Sequence, residues 1–208
     1  MSAPVRLPID ISTVKGFLDP DEGEALYHAA LKAASVGPLL EIGSYCGKSA
    51  VYIGMAAREA GSLLFTVDHH RGSEEMQPGW AHHDPSTWNA KARTMETLPF
   101  LRDTLRRAGL EEVVVPVVGR SATIARYWGT KLGFLFIDGG HSMDEAESDY
   151  RGWTPHLAPG GTLAIHDVFP NPKDGGRPPY EIYKMALGSR AFVEIDDVKS
   201  LRLLRRTG

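Results

Sequence analysis

The strongest limit on how this chain can fold is a repeated unit: a short apolar strand that stops at a polar or small residue, followed by a helix. Leu39-Leu40-Glu41-Ile42 stops at Gly43, and residues 63–67 stop at Asp68. Residues 113–118 stop at Gly119, 134–137 at Asp138, and 162–165 at His166-Asp167. Helices are predicted between them over 47–60, 95–108, 123–128 and 144–156, with Leu157-Ala158-Pro159-Gly160-Gly161 as the connection into the fifth strand. An earlier helix starts at Asp19-Pro20-Asp21-Glu22, where Asp19 caps, Pro20 suits the first turn and Glu22 closes a capping box. It runs to about Val36. A further helix is predicted over 180–187, and 191–195 with 200–204 read as a closing hairpin. Strands that are near-continuous apolar runs are buried on both faces, which implies a parallel sheet covered by helices on each side. In such sheets ligands bind beyond the carboxyl ends of the strands. The unusual polar residues of this chain fall at those ends.

A length of 208 residues suits one domain. The formal net charge of −3 gives no argument for a nucleic-acid or membrane-surface partner. No apolar run approaches the ~20 residues that span a bilayer, and residues 1–10 lack the apolar centre of a secretory signal. A lone cysteine, Cys46, has no internal partner, which fits a reducing compartment and gives a cytoplasmic expectation.

Glu41-Ile42-Gly43-Ser44-Tyr45-Cys46-Gly47-Lys48-Ser49 is the most informative stretch. Gly47-Lys48-Ser49 suggests a triphosphate loop, but only Ser44, Tyr45 and Cys46 separate the glycines where that cradle needs four residues. A dinucleotide loop fails on spacing too, and Tyr45 and Cys46 would crowd a pyrophosphate. That argues against a nicotinamide-dependent oxidoreductase. S-adenosylmethionine has no phosphate and tolerates a looser turn. Glu41 could then support the cationic amino group, and Asp68 could accept the ribose hydroxyls. The plainer reading is an ion pair at Glu41 and a turn at Gly43; acids on two adjacent strands favour the cofactor. The candidate cofactor residues are Glu41, Gly43, Ser44, Gly47, Lys48, Ser49, Asp68, Gly119, Ser121 and Asp138. Cys46 reads as a packing residue, because nothing places a base beside it.

Phe136-Ile137-Asp138-Gly139-Gly140-His141 and Ile165-His166-Asp167 deliver Asp138, His166 and Asp167 to one sheet edge. Two carboxylates suit a hard cation such as Mg²⁺. His166 is a softer ligand, or a donor to substrate or water. A cation there would grip two acceptor oxygens and acidify a hydroxyl. His141, three residues after Asp138, is the candidate general base, against the plainer reading of a surface or capping histidine. Asp138 and His141 form the expected catalytic pair.

Residues 69–93 have no clear period and read as an insertion or lid. The adjacent pairs His69-His70 and His82-His83 point their rings apart, which argues against a second metal site. Arg71, Glu74, Glu75, Gln77 and Trp80 are the candidate acceptor residues, with an oligomer contact as the alternative use of the same surface. The expected partner is a small-molecule or oligosaccharide acceptor, with a homodimer as a further expectation.

Glu41-Ile42-Gly43, Asp68, the run from Phe136 to His141, Trp153, Leu157-Ala158-Pro159-Gly160-Gly161 and His166-Asp167 together resemble class I methyltransferases. More narrowly, they are similar to the metal-dependent sugar O-methyltransferases of macrolide pathways and their actinobacterial relatives. The resemblance covers residues 39–167 and implies a Rossmann-like fold, with a mostly parallel seven-stranded sheet and a C-terminal antiparallel hairpin. It implies S-adenosylmethionine as methyl donor, and Mg²⁺ on Asp138 and Asp167. His166 stands where that family usually has an acid, and His141 where catechol-type relatives carry a lysine. The insertion, with Gly72-Ser73-Glu74-Glu75 and Gln77-Pro78-Gly79-Trp80, looks like that of the mycobacterial group that 1-O-methylates a methylmannose polysaccharide precursor. A catechol-type acceptor and a non-catalytic module on this scaffold are the rival functions.

Overall fold

A computed structural model describes residues 5–80, 82–140, 142–171 and 173–208. His141 lies outside the described residues. In chain order the elements are α1 (Pro20–Ala33), β1 (Leu39–Ile42), α2 (Lys48–Glu59), β2 (Leu64–Asp68), β3 (Trp88–Asn89), β4 (Thr94–Met95) and α3 (Leu98–Ala108). There follow β5 (Val114–Val118), α4 (Ser121–Ala125), β6 (Leu132–Ile137), α5 (Met143–Trp153), β7 (Leu157–Ile165), α6 (Pro178–Gly188), β8 (Phe192–Val198) and β9 (Leu201–Arg206).

Seven strands form one sheet in the order β5-β2-β1-β6-β7-β9-β8. Strands β5, β2, β1, β6 and β7 run parallel, whereas β9 pairs antiparallel with both β7 and β8. The closing hairpin is therefore part of the main sheet, with its second strand slotted inside its first. The chain leaves β1 toward β2 and β5, then returns to β6 on the other side of β1. That reversal opens a crevice at the carboxyl ends of β1 and β6.

Alternation along the central strands divides the core. Leu39, Phe134 and Phe136 pack with Leu26 and Ile53 on the α1–α2 face. Leu40, Leu135 and Ile137 pack with Trp153 and Ile182 on the α5–α6 face. Both faces bury mainly apolar side chains, with Glu41 and Thr66 as buried polar exceptions.

Several boundaries differ from the sequence expectation: the helix expected over 95–108 starts at Leu98 because Met95 belongs to β4, that over 123–128 is α4 over Ser121–Ala125, and the strand expected over 134–137 starts at Leu132. Helix α1 stops at Ala33, three residues before Val36. The expected helix over 144–156 becomes α5 plus a 3-10 turn at Thr154–His156, where Pro155 offers no N–H to continue an α-helix. The expected connection 157–161 is instead the start of β7, which pairs with β6 through a register shift between Leu132 and Phe134. Among the described residues no helix is long and apolar enough to cross a membrane.

The insertion has local order. It holds 3-10 turns at Glu74–Met76 and Pro85–Thr87 and the two-residue ladder of β3 with β4, anchored by fully buried Met95. Lys15 Nζ meets Asp84 Oδ2 at 2.5 Å, and the Phe17 and His82 rings lie edge to face at 5.3 Å. The segment before α1 thus touches the insertion.

Candidate active site

A cavity of about 360 Å³ lies at the carboxyl ends of β1, β2, β5, β6 and β7, beneath the segment before α1 and the start of the insertion. Its floor begins with the glycine loop. Gly43 has φ +88, and a Cβ there would sit 2.0 Å from the Asp138 carbonyl oxygen, so β1 and β6 approach too closely for any side chain. Tyr45 takes a left-handed φ of 44 although it is not glycine. Asp68 holds that strained turn: its Oδ2 accepts from Ser44 N at 3.0 Å and Tyr45 N at 2.9 Å, and its Oδ1 accepts from His70 N at 2.7 Å. Asp68 faces the cavity as expected, but three of its roughly four acceptor positions are committed to the backbone.

Glu41 is fully buried and does not line the cavity. It accepts from Thr66 Oγ1 at 2.6 Å and Ser49 Oγ at 2.9 Å, and Thr66 in turn contacts Ser44 Oγ. Burial pushes its carboxyl up to about 7 against those two hydrogen bonds, and the nearby Asp138 and Asp68 charges add to the rise. Its part is to brace the loop from below. Gly47 is not on the cavity either: it opens α2 with φ +92, and a Cβ there would meet Leu101 Cδ1 at 2.8 Å. Ser44, Lys48, Ser49, Gly119, Ser121 and Asp138 do line it. Lys48 donates to the Gly16 carbonyl at 3.0 Å, tying the segment before α1 to the loop. The Cys46 thiol is buried and pushed up to about 12, chiefly by desolvation, so it packs and does not attack.

Asp138, His166 and Asp167 come together as expected, each offering an atom within 4.8 Å of the others. His166 Nδ1 lies 3.0 Å from Asp138 Oδ1 and 3.5 Å from Asp167 Oδ1. Its Nε2 lies 3.0 Å from Glu22 Oε2, both side chains being buried. Burial opposes charge on this ring, but the Asp138 charge, the hydrogen bonds to Asp138 and Glu22, and Asp167 overcome it and raise His166 to about 11. Asp167 adopts a left-handed φ of 55, the second strained non-glycine residue of the cavity wall.

Asp149 was not foreseen. It projects from α5 into the cavity wall and is 6% exposed. Burial pushes it up to about 6, against a hydrogen bond from Ser121 and with the Glu145 charge adding to the rise. Trp153 Nε1 donates to Ser121 Oγ at 2.7 Å and fixes that hydroxyl. Of the two glycines after Asp138, a Cβ on Gly139 would meet the Asp149 carboxylate at 2.7 Å and one on Gly140 the Glu145 carboxylate at 2.2 Å, both side-chain ends that can shift.

Of the expected acceptor residues only Glu75 lines the cavity. Gln77 spends its amide on the carbonyls of Arg71 and Ser73, both at 3.0 Å, so it shapes the insertion. Arg71, Glu74 and Trp80 lie off the cavity, Trp80 being 55% exposed. In their place the structure brings Lys15, Phe17, Tyr45 and Met76 to the mouth. Phe17 stacks on Tyr45 at 6.2 Å between ring centres and is 64% exposed. No local pattern marks residues 15–17 as site residues, because they reach it only through the tertiary fold.

Residues 40–168 match a family model described as a methyltransferase domain. Among solved structures, the O-methyltransferase TomG from Streptomyces achromogenes, in complex with SAM, superposes with a TM-score of 0.64 at 18% identity, covering 92% of this chain and 82% of that one. A putative caffeoyl-CoA O-methyltransferase from Staphylococcus aureus gives 0.65 at 12% identity, covering 95% and 88%. The SAH-bound methyltransferase PaMTH1 from Podospora anserina gives 0.60 at 14% identity, covering 92% and 80%. At these identities the likeness is one of fold.

Proposed function

Since the chain belongs to the methyltransferase-domain family, we propose that it is an S-adenosylmethionine-dependent O-methyltransferase acting on a hydroxyl of a small sugar acceptor with the help of a divalent cation, Mg²⁺ first. The observation that carries this reading is the joining of Asp138, His166 and Asp167 at the cavity edge, beside the Gly43 turn. The cavity's carboxylates, Asp68, Asp138, Asp144, Asp149 and Asp167 among them, outnumber its lysines and arginines, which suits a ligand carrying sulfonium and ammonium charges. SAM and SAH in the folds of TomG and PaMTH1 support the same donor.

Asp138, Asp167 and His166 Nδ1 are the groups that would hold the cation: two carboxylate oxygens with one imidazole nitrogen, the cation replacing the proton that Nδ1 otherwise shares with Asp138. When bound, it would lower the pKa of the acceptor hydroxyl and orient it. The protein's own part is positioning and charge. With S-adenosylmethionine bound, the acceptor oxygen would form its bond to the methyl carbon as the S–CH₃ bond breaks, releasing S-adenosylhomocysteine, with the hydroxyl proton passing to a base of the protein. His141 is the residue proposed to take the hydroxyl proton. The Phe17–Tyr45 ring pair offers apolar surface, and the Glu75 carboxylate, which also accepts from Ser73 Oγ, lies on the same cavity, a combination suited to a pyranose ring.

The test is transfer of labelled methyl from S-adenosylmethionine to a panel of free sugars, alkyl glycosides and catechols, with Mg²⁺ or with chelator. Labelling of sugars that the chelator abolishes is the expected result. Labelling confined to catechols would overturn the sugar assignment, and undiminished labelling in chelator would overturn the cation.

A further inference from the structure

Glu22 stands in the first turn of α1, far in sequence from the residues of the cavity edge, and its capping-box pattern gives it an ordinary local role. The structure gives it a second one. Its Oε1 accepts from Ser200 N at 2.9 Å and Ser200 Oγ at 2.7 Å. Its Oε2 accepts from Asp19 N at 3.2 Å and lies 3.0 Å from His166 Nε2. Only 3% of the residue is exposed. A carboxylate fixed by three other donors can only accept from the ring, so Nε2 carries a proton. Nδ1 faces Asp138 Oδ1 at 3.0 Å and Asp167 Oδ1 at 3.5 Å, so without a cation it too donates to a carboxylate, and a cation bound there takes the place of that proton.

We propose that Glu22 is the positioning residue of the cation subsite: by accepting from Nε2–H it fixes the His166 ring and presents Nδ1, with Asp138 and Asp167, to a divalent cation. The proposal rests on the cation reading above. It follows a general rule of metal sites, in which the far nitrogen of a ligating histidine donates to a carboxylate that orients the ring. It also gives the β8–β9 turn a purpose, since Ser200 holds Glu22 from that turn, while the Ser200 carbonyl accepts from Val168 N at 2.9 Å just past the subsite.

Glu22→Gln is the informative change because it is nearly isosteric. The Ser200 N–H donates to the Oε1 position at 2.9 Å, closer than the Asp19 N–H at 3.2 Å on the other side, and so keeps the amide oxygen there and turns the NH₂ toward His166. Nε2 must then accept, which leaves the ring's single proton on Nδ1, in the place the cation needs. The probe is Mn²⁺ titrated into the full chain and followed by electron paramagnetic resonance. The wild-type chain is expected to bind Mn²⁺ with a ¹⁴N coupling from imidazole that His166→Ala abolishes. Glu22→Gln should lose roughly 10–100-fold in Mn²⁺ affinity together with that coupling. Asp19→Ala loses the α1 cap side chain but leaves the Glu22–His166 contact in place, so it should lose stability and keep Mn²⁺ affinity. Wild-type affinity and nitrogen coupling in Glu22→Gln would overturn the positioning role alone. No Mn²⁺ binding by the wild-type chain would overturn the cation reading itself, and the positioning role with it. If Glu22→Gln does not fold, ¹⁵N shifts of His166 in the wild-type chain at saturating Mg²⁺ decide the matter. Nε2–H with unprotonated Nδ1 is expected, and a proton on Nδ1 overturns the proposal.

Discussion

Replacing Glu41 by glutamine should stabilise the protein above neutral pH and do little or slight harm below pH 4.5. In the unfolded chain this carboxyl gives up its proton near 4.5, whereas in the folded protein burial holds the proton on until about 7. Between those values the native state binds more protons than the unfolded state, so rising pH removes stability, and above about 7 the loss levels off. At ~1.36 kcal/mol per pH unit, the plateau is about 3 kcal/mol. The Glu41→Gln side chain carries no such charge. Its amide can accept from one of Ser49 and Thr66 and donate to the other, since each hydroxyl can turn, at a cost of about 1 kcal/mol for a rearranged hydrogen bond. The difference between mutant and wild type should therefore run from about −1 kcal/mol at pH 4 to about +2 kcal/mol at pH 8, with the change falling between pH 4.5 and 7. Urea unfolding of both proteins at half-unit pH intervals, without cofactor, measures it. Contributions of Glu22 and His166 are common to both and cancel. A difference curve flat in pH would falsify the reasoning, because it would mean that Glu41 ionises alike in both states.

Gly43→Ala should cost well over 1 kcal/mol and most of the S-adenosylmethionine affinity, because the new Cβ is forced onto the Asp138 carbonyl at 2.0 Å; thermal melts with calorimetry check both. His141→Ala should lower turnover roughly 10²–10⁴-fold with cofactor affinity intact, and should erase the acidic limb of the pH–rate profile near the histidine range; an unchanged profile removes it as the base. Asp138→Asn and Asp167→Asn should each abolish the Mg²⁺ dependence of methyl transfer along with most of its rate, and retained dependence in either would take that residue out of the cation's ligand set. Trp80→Ala should leave acceptor KM unchanged because that ring stands off the cavity, whereas Phe17→Ala should raise it.

The linear order of residues was enough to specify the layered α/β architecture, since the near-continuous apolar runs of β1, β6 and β7 call for burial on both faces, while β5 at the sheet edge leaves Val115 and Val118 exposed. It also marked which ends of the strands carry the chemistry. Asp68, Asp138 and His166-Asp167 were legible because each follows its strand directly and strand ends are where such sheets bind ligands. What each residue does there depends on the packed fold. Asp68 is largely committed to the backbone of the Gly43 turn, Glu41 lies beneath that turn, and Gln77 holds its own insertion together. Helix α1 supplies Glu22 to His166, α5 supplies Asp149 to the cavity wall, and the segment before α1 supplies Phe17 to the mouth. The difference is one of range. Strand burial and strand ends are written in neighbouring residues, as period and punctuation. Contacts such as Glu22 with His166 or Ser200 join residues more than a hundred positions apart, and only the packed sheet brings them within hydrogen-bonding distance.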